Sequence, residues 1–346
     1  MKKSLLVLAV LGAFAGVASA QSSVTIYGTF DAGVRNLTNA AVDAKGNGLD
    51  KLSMGSNGTY NSNRIGFRGV EDLGGGMNAH FTLENGFNSG TGGFDNAGNV
   101  LFNRTAAVGV GGAWGSVDLG RQYTVAFKTV AAYEPFTYKY VAITPAVLST
   151  AGIRYNNDIQ YAGTFGPVTV RAEYAVGEQP GSTSASSATA VGASYANGPL
   201  NVGFAYTERN VCVTAVPTCT ATFDNKHYTV GGAFQVMPAL KVSVGYADEK
   251  QATATIKTET EYSWIGASYA FTPALTATYA FYRTEVSGAT AVTAKKDLNI
   301  IGATYALSKR TNLYAALDMV KLEGAARVGG VQTEQTGVSL GVNHAF

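Results

Sequence analysis

The feature that most constrains this chain is a hydrophobic period of two that recurs from Val24 to Phe346. The final segment shows it most plainly. Thr336, Val338, Leu340, Val342, His344 and Phe346 fall on one side, and Gly337, Ser339, Gly341, Asn343 and Ala345 on the other, because successive strand side chains point to opposite faces. The pattern repeats upstream. Ile65 and Phe67 oppose Arg64, Gly66 and Arg68, while Ala79, Phe81 and Leu83 oppose His80, Thr82 and Glu84. Ile153, Tyr155, Ile159 and Tyr161 oppose Arg154, Asn156, Asp158 and Gln160, and Val168, Val170, Ala172 and Tyr174 oppose Thr169, Arg171 and Glu173. In each case one face is apolar and the other small, polar or charged, which is the alternation of a strand with lipid on one side and water on the other.

Only 14% of the residues are charged, where globular chains carry about a quarter. Past residue 20 no window approaches the ~18 consecutive apolar residues of a membrane-spanning helix. A chain that crosses hydrocarbon without such helices must close its strands into a barrel, because every backbone N–H and C=O needs a partner there. Export is expected from the N-terminus. Lys2 and Lys3 precede an apolar run from Leu5 to Phe14, and Ala18-Ser19-Ala20 supplies small residues ahead of Gln21; residues 1–20 therefore read as a cleaved signal peptide and 21–346 as the barrel. Without Lys2 and Lys3, the 25 basic residues drop to the number of the 23 acidic ones. A nucleic-acid partner, which needs a basic excess on one face, is not expected.

The connections alternate between short and long. Seven are short and rich in turn formers, such as Asp72 to Gly76, Asn197-Gly198-Pro199 and Thr272-Pro273-Ala274. Eight are long, running from the first (Leu37 to Asn61) through the longest (Tyr123 to Gly152) to the last (Glu323 to Glu334). That arrangement gives about sixteen strands, with short turns toward the periplasm and long loops outward, and a barrel of that size leaves an aqueous channel. The expected class is all-β, a transmembrane antiparallel β-barrel.

Four stretches resemble the Gram-negative porins of β-proteobacterial type: Ser23 to Gly28 with Asp31 to Val34; Ser62 to Gly76; Gly115 to Tyr123 with its Leu119-Gly120-Arg121-Gln122-Tyr123; and the C-terminal strand ending in Phe346. The resemblance spans essentially the whole mature chain. It implies a homotrimer in the outer membrane, each barrel narrowed by an inward-folded third loop, among lipid and lipopolysaccharide. It also implies that Phe346 is the terminal aromatic read by the outer-membrane assembly machinery. The third loop departs from the family's Pro-Glu-Phe-Phe-Gly-like stretch, with Tyr133-Glu134-Pro135-Phe136-Thr137-Tyr138 in its place.

A constriction selects by its diameter and by the charges lining it. Strand parity points Arg64, Arg68, Arg154 and Arg171 into the lumen, with Arg35 a further candidate. The family's basic ladder on the second, fourth and sixth strands corresponds by position to Arg64, Arg104 and Arg154. Arg104 shares parity with Ala106, Val108 and Val110, so a bulge is needed to turn it inward; Arg121 shares a face with Val117 and Leu119. Glu134 is the sole acid of the third loop, flanked by Lys128 and Lys139. Asp31, Glu84, Asp118, Asp158 and Glu173 face inward and could neutralise the arginines. The expected function is a diffusion channel for ions and small hydrophilic solutes with mild anion preference. The alternatives are a balanced wall, a solute-selective channel using Phe136, Tyr138 and Tyr140, and a receptor or adhesin acting through its outer loops.

Cys212 and Cys219 share one outer loop and are expected to form a disulfide in an oxidising compartment; a metal there would need more ligands than nearby His227. Gly109, Gly111, Gly112 and Gly115 lead into a strand and not a helix, so they do not form a phosphate loop. His80 and Glu84 share a face with no nucleophile identifiable beside them, and neither catalysis nor a cofactor is expected.

Overall fold

Seventeen strands among the described residues join edge to edge in one antiparallel sheet that closes on itself. The computed structural model describes residues 23–54, 58–141, 150–212, 219, 222–252, 257–288 and 292–346; the expected leader lies outside them. The first strand, β1 (Ser23–Val42), is the longest, at 20 residues. Its first part pairs with β3 (Arg64–Gly74), and its later part with β2 (Gly48–Met54). These two segments occupy one place beside β1, so the wall has sixteen strand positions. The expected connection from Leu37 to Asn61 therefore contains a hairpin of its own.

From β3 the sheet proceeds by nearest-neighbour pairing through β4 (Met77–Gly86), β5 (Thr105–Gly112), β6 (Gly115–Tyr123), β7 (Arg154–Phe165) and β8 (Val168–Ala175). It continues through β9 (Ala188–Asn197), β10 (Leu200–Cys212), β11 (Thr222–Met237), β12 (Leu240–Ala252) and β13 (Lys257–Ala270). The last four are β14 (Leu275–Ser287), β15 (Val292–Ala306), β16 (Thr311–Gly324) and β17 (Glu334–Ala345). Pairing of β17 with β1, from Thr29–Ala345 to Leu37–Gly337, shuts the barrel. Phe346 completes the seam: its N–H donates to Gly28 O and its carbonyl accepts from Gly28 N–H, both at 3.1 Å.

The outer face carries the apolar half of the alternation. Ile26, Val108, Val191, Phe204, Val230, Val244, Ile265, Ile301 and Leu340 are all exposed on the isolated chain, as a lipid-facing band must be. Exposed Trp114, Phe165, Phe234, Phe271 and Phe346 lie near the short-turn ends. No described helix is long and apolar enough to cross a membrane. The short turns rely on left-handed backbone, as at Gly74, Gly75 and Gly76 (φ 79, 63 and 78°).

One strand departs from simple alternation. The β6–β7 register slips between Gly120 and Gln122, leaving Asn156 and Asn157 as a bulge, with Asn157 at φ 53°. An extra residue reverses the parity beyond it. Tyr155, expected on the lipid face with Ile159, is instead buried against Ala175 and Ala188, and its hydroxyl donates to Thr150 O. The same shift removes the alternation that pointed Arg154 inward; Arg154 reaches the lumen cluster instead through Tyr123, its partner at the end of the ladder.

Candidate functional site

The lumen is narrowed by the segment that follows β6. Thr124 caps a short helix, α1 (Val125–Val130), its hydroxyl oxygen accepting from Phe127 N–H at 3.2 Å. The chain then runs across the inner face of β9 to β15, where the wall presents glycines. A Cβ added at Gly231 would stand 2.4 Å from the Tyr133 ring; one at Gly266 would lie 2.6 Å from Pro135 and one at Gly302 2.7 Å from Tyr140. Loop side chains thus sit directly on strand backbone, an approach only glycine permits. Tyr133 is fully buried, stacks on Trp264 at 5.9 Å, and shares a hydrogen bond with Thr229 at 3.1 Å. Burial pushes its phenol up to about 12.

Several inward-facing acids serve as anchors, whereas Asp118 meets His80 Nε2 at 2.8 Å and Asp158 accepts from the Gln160 amide at 3.3 Å. Glu173 accepts from Val125 N–H and Glu249 from Thr150 N–H, each at 2.9 Å, at the two ends of the loop. Asp31 accepts from Thr59 N–H at 2.7 Å and from the Tyr314 hydroxyl at 3.0 Å. Asp318 takes both terminal nitrogens of Arg35, at 2.5 and 2.8 Å, so Arg35 faces inward but is matched by a carboxylate. Glu134 is buried against the wall: Tyr282 donates to it through its hydroxyl, and Tyr138 N–H donates at 2.7 Å. Burial raises the Glu134 carboxyl above its ordinary range.

The arginines are arranged differently. Arg64, Arg104 and Arg154 gather around Tyr123 and Glu84. Glu84 accepts from Arg104 Nε at 2.6 Å and from the Tyr27 hydroxyl at 3.0 Å, and Arg64 Nε stands 3.8 Å from it. Arg104 and Arg154 both donate to the Tyr123 hydroxyl oxygen, at 2.6 and 2.7 Å. No carboxylate lies within salt-bridge reach of Arg154 among the described residues, and its buried Nε is unpartnered. Arg64 and Arg104 thus share one carboxylate within ion-pair reach while Arg154 has none, and Asp95 is a second, more distant acid acting on Arg104. Glu84, Tyr123, Tyr27 and Arg64 line one hollow of the wall.

The other sequence candidates are placed as follows. Arg68 is inward, two repeats of the alternation from Arg64, over the Tyr27 ring at 5.5 Å. Arg171 is inward on β8 beside Glu173's face. Arg104 needs no bulge: the β4–β5 ladder ends at Thr105, and Arg104 turns into the lumen just beyond it. Arg121 remains opposite Ala106, held by Asn103 O at 2.6 Å and Asn156 Oδ1 at 2.5 Å, and makes no contact with Glu84 or Tyr123 among the described residues. Phe136 and Tyr140 are buried against the wall. Lys128 donates to the amide oxygens of Gln160 and, at 3.4 Å, Gln122; burial lowers its pKa against the pull of Asp118 and Glu173. Cys212 and Cys219 are disulfide-bonded. Tyr123 is the residue that parity reasoning missed as a centre of the site. Its position at the end of β6, where the chain leaves the ladder, frees it from the strand's alternation.

A closed sheet, apolar outside and charged within, with a loop folded across its lumen, defines a transmembrane β-barrel channel. The chain belongs to the Gram-negative porin family, whose model matches residues 7–325. It is 32% identical to outer membrane porin protein 32 of Delftia acidovorans and 29% identical to an outer membrane porin protein of Bordetella pertussis, in both cases across the full length of both chains. Among solved structures it is similar to an anion-selective porin from Comamonas acidovorans, with TM-score 0.77 and 27% identity over 94% of this chain and all of that one. It is accordingly an outer-membrane diffusion channel.

Proposed function

We propose that this channel passes small hydrophilic solutes and ions with a preference for anions, set by Arg64, Arg104 and Arg154. The carrying observation is the imbalance at Tyr123, where three guanidiniums gather with one carboxylate in ion-pair reach, while Asp31, Glu134, Glu173 and Glu249 are engaged in anchoring loops. Unpaired charge beside a low-dielectric wall focuses its field on the water path and enriches counter-ions there. Arg68 and Arg171 extend the positive wall on either side. The similarity to an anion-selective porin supports the same sign. Glu134 acts in this account as a loop anchor and not as a charge in the path, and Arg121 steadies the β6–β7 bulge.

The mature form begins after Ala20, assembles as a homotrimer among lipid and lipopolysaccharide, and presents Phe346 to the assembly machinery. Swelling of liposomes containing the protein tests the central reading. A small sugar acid should enter faster than a neutral sugar of equal size. Equal rates, or slower entry of the acid, would remove the anion preference, and no entry of either would remove the open channel.

A further inference from the structure

Beyond the arginines themselves, we infer that Tyr123 is the positioning residue that fixes their selectivity, and that the third loop clamps it in place. The proposal rests on the anion reading above. A single phenolic oxygen accepts hydrogen bonds from Arg104 and Arg154, at 2.6 and 2.7 Å. The same ring carries the Arg154 guanidinium over its face at 4.3 Å. Phe127 of α1 stacks on Tyr123 at 4.8 Å and 18°, and Tyr138 stacks on Phe127 at 4.2 Å and 12°. Tyr138 is held in turn: its N–H donates to Glu134, which also accepts from the Tyr282 hydroxyl on the far wall. Thr137 and Tyr138 adopt left-handed backbone (φ 54 and 58°) at this bend, a conformation that costs energy for residues with side chains and that the surrounding contacts must hold.

The consequence is a continuous link from β14 across the lumen to the basic cluster: Tyr282, Glu134, Tyr138, Phe127, Tyr123 and then the two arginines. Arg154 is joined to the wall by no ion pair within reach among the described residues, so Tyr123 supplies its hydroxyl partner and its stacking surface. A neutral hydroxyl holds two cations side by side without cancelling either charge, which a carboxylate at the same place would do. The loop therefore does more than narrow the channel; its seating decides where the charge stands.

The test is a pair of variants read by zero-current potential in planar bilayers. Tyr123→Phe keeps the ring stack and removes the shared acceptor. Phe127→Leu keeps the hydroxyl and removes the stack. A guanidinium that drifts from about 6 to about 9 Å from a permeating ion loses half its screened field, which lowers the chloride-to-potassium permeability ratio about twofold per arginine. Both variants should show this fall, and Tyr161→Phe, whose hydroxyl meets Trp114 O away from the lumen cluster, should not. A tyrosine that merely fills space predicts changed conductance at an unchanged ratio, and that result overturns the proposal. If Tyr123→Phe fails to insert, Phe127→Leu decides alone. A wild-type ratio at or below one sinks the anion reading, whereas an anion-preferring wild type whose ratio neither substitution moves sinks this inference only.

Discussion

Neutralising Arg154 isolates the charge that the cluster leaves unmatched. A unit charge about 6 Å from a permeating ion in water contributes roughly 0.7 kcal/mol, which screening at about 0.1 M salt reduces to about 0.4 kcal/mol. The sign is opposite for anion and cation, so Arg154→Gln should alter their relative permeability by about 0.8 kcal/mol, close to a fourfold loss of anion preference. Glu84→Gln provides the counterpart. It removes the single carboxylate shared by Arg64 and Arg104, so it should raise the preference by a similar factor. Both are read as zero-current potentials across a bilayer separating unequal KCl solutions. At about 1 M salt the screening length shrinks to about 3 Å, and both effects should nearly vanish. If the two variants shift the ratio in the same direction, or if the shifts persist at high salt, shape and not charge governs the site.

Other outcomes follow from the anchors. Glu134 has its carboxyl raised by burial, so the folded state holds its proton where the unfolded chain has released it; this group's contribution to stability falls as pH rises above the ordinary carboxylate range. Glu134→Gln should flatten that part of the unfolding profile in detergent, and a variant with the wild-type pH dependence would contradict the assignment. Gly231→Ala places a Cβ 2.4 Å from the Tyr133 ring and should cost about 1–3 kcal/mol by overpacking while pushing the loop into the lumen. Its unfolding midpoint and single-channel conductance should both drop. Reducing the Cys212–Cys219 disulfide frees an outer loop worth roughly 2.5 kcal/mol in chain entropy, so protease cleavage there should increase while ion selectivity stays unchanged.

Much of the wall was legible in the sequence because a period of two has only two faces to assign. Thr336 to Phe346 alternates in the structure as it does in the chain, with Val338, Leu340 and Val342 outward and Ser339 and Asn343 buried. The exceptions arise where the ladder stops. Tyr155 lies beyond a bulge at Asn157, Arg104 lies one residue before β5, and Tyr123 is the last residue of β6. Alternation says nothing about a side chain once its backbone leaves the sheet. Pairing was equally hidden: alternation marks Asp31 and Glu173 only as counter-charges for the arginines, yet they and Glu249 each accept a loop N–H from residues far along the chain. The glycines that seat the loop, Gly231, Gly266 and Gly302, carry no signal of that role in the sequence. It appears only when Tyr133, Pro135 and Tyr140 are laid against them.

The most direct test of the whole account is the zero-current potential of the unaltered protein in a planar bilayer between concentrated and dilute KCl. Chloride crossing ahead of potassium makes the dilute side negative, and that sign is predicted from three guanidiniums held against one carboxylate. A dilute side that turns positive would show that potassium leads, and would contradict the assignment of Arg64, Arg104 and Arg154 as the charge that selects.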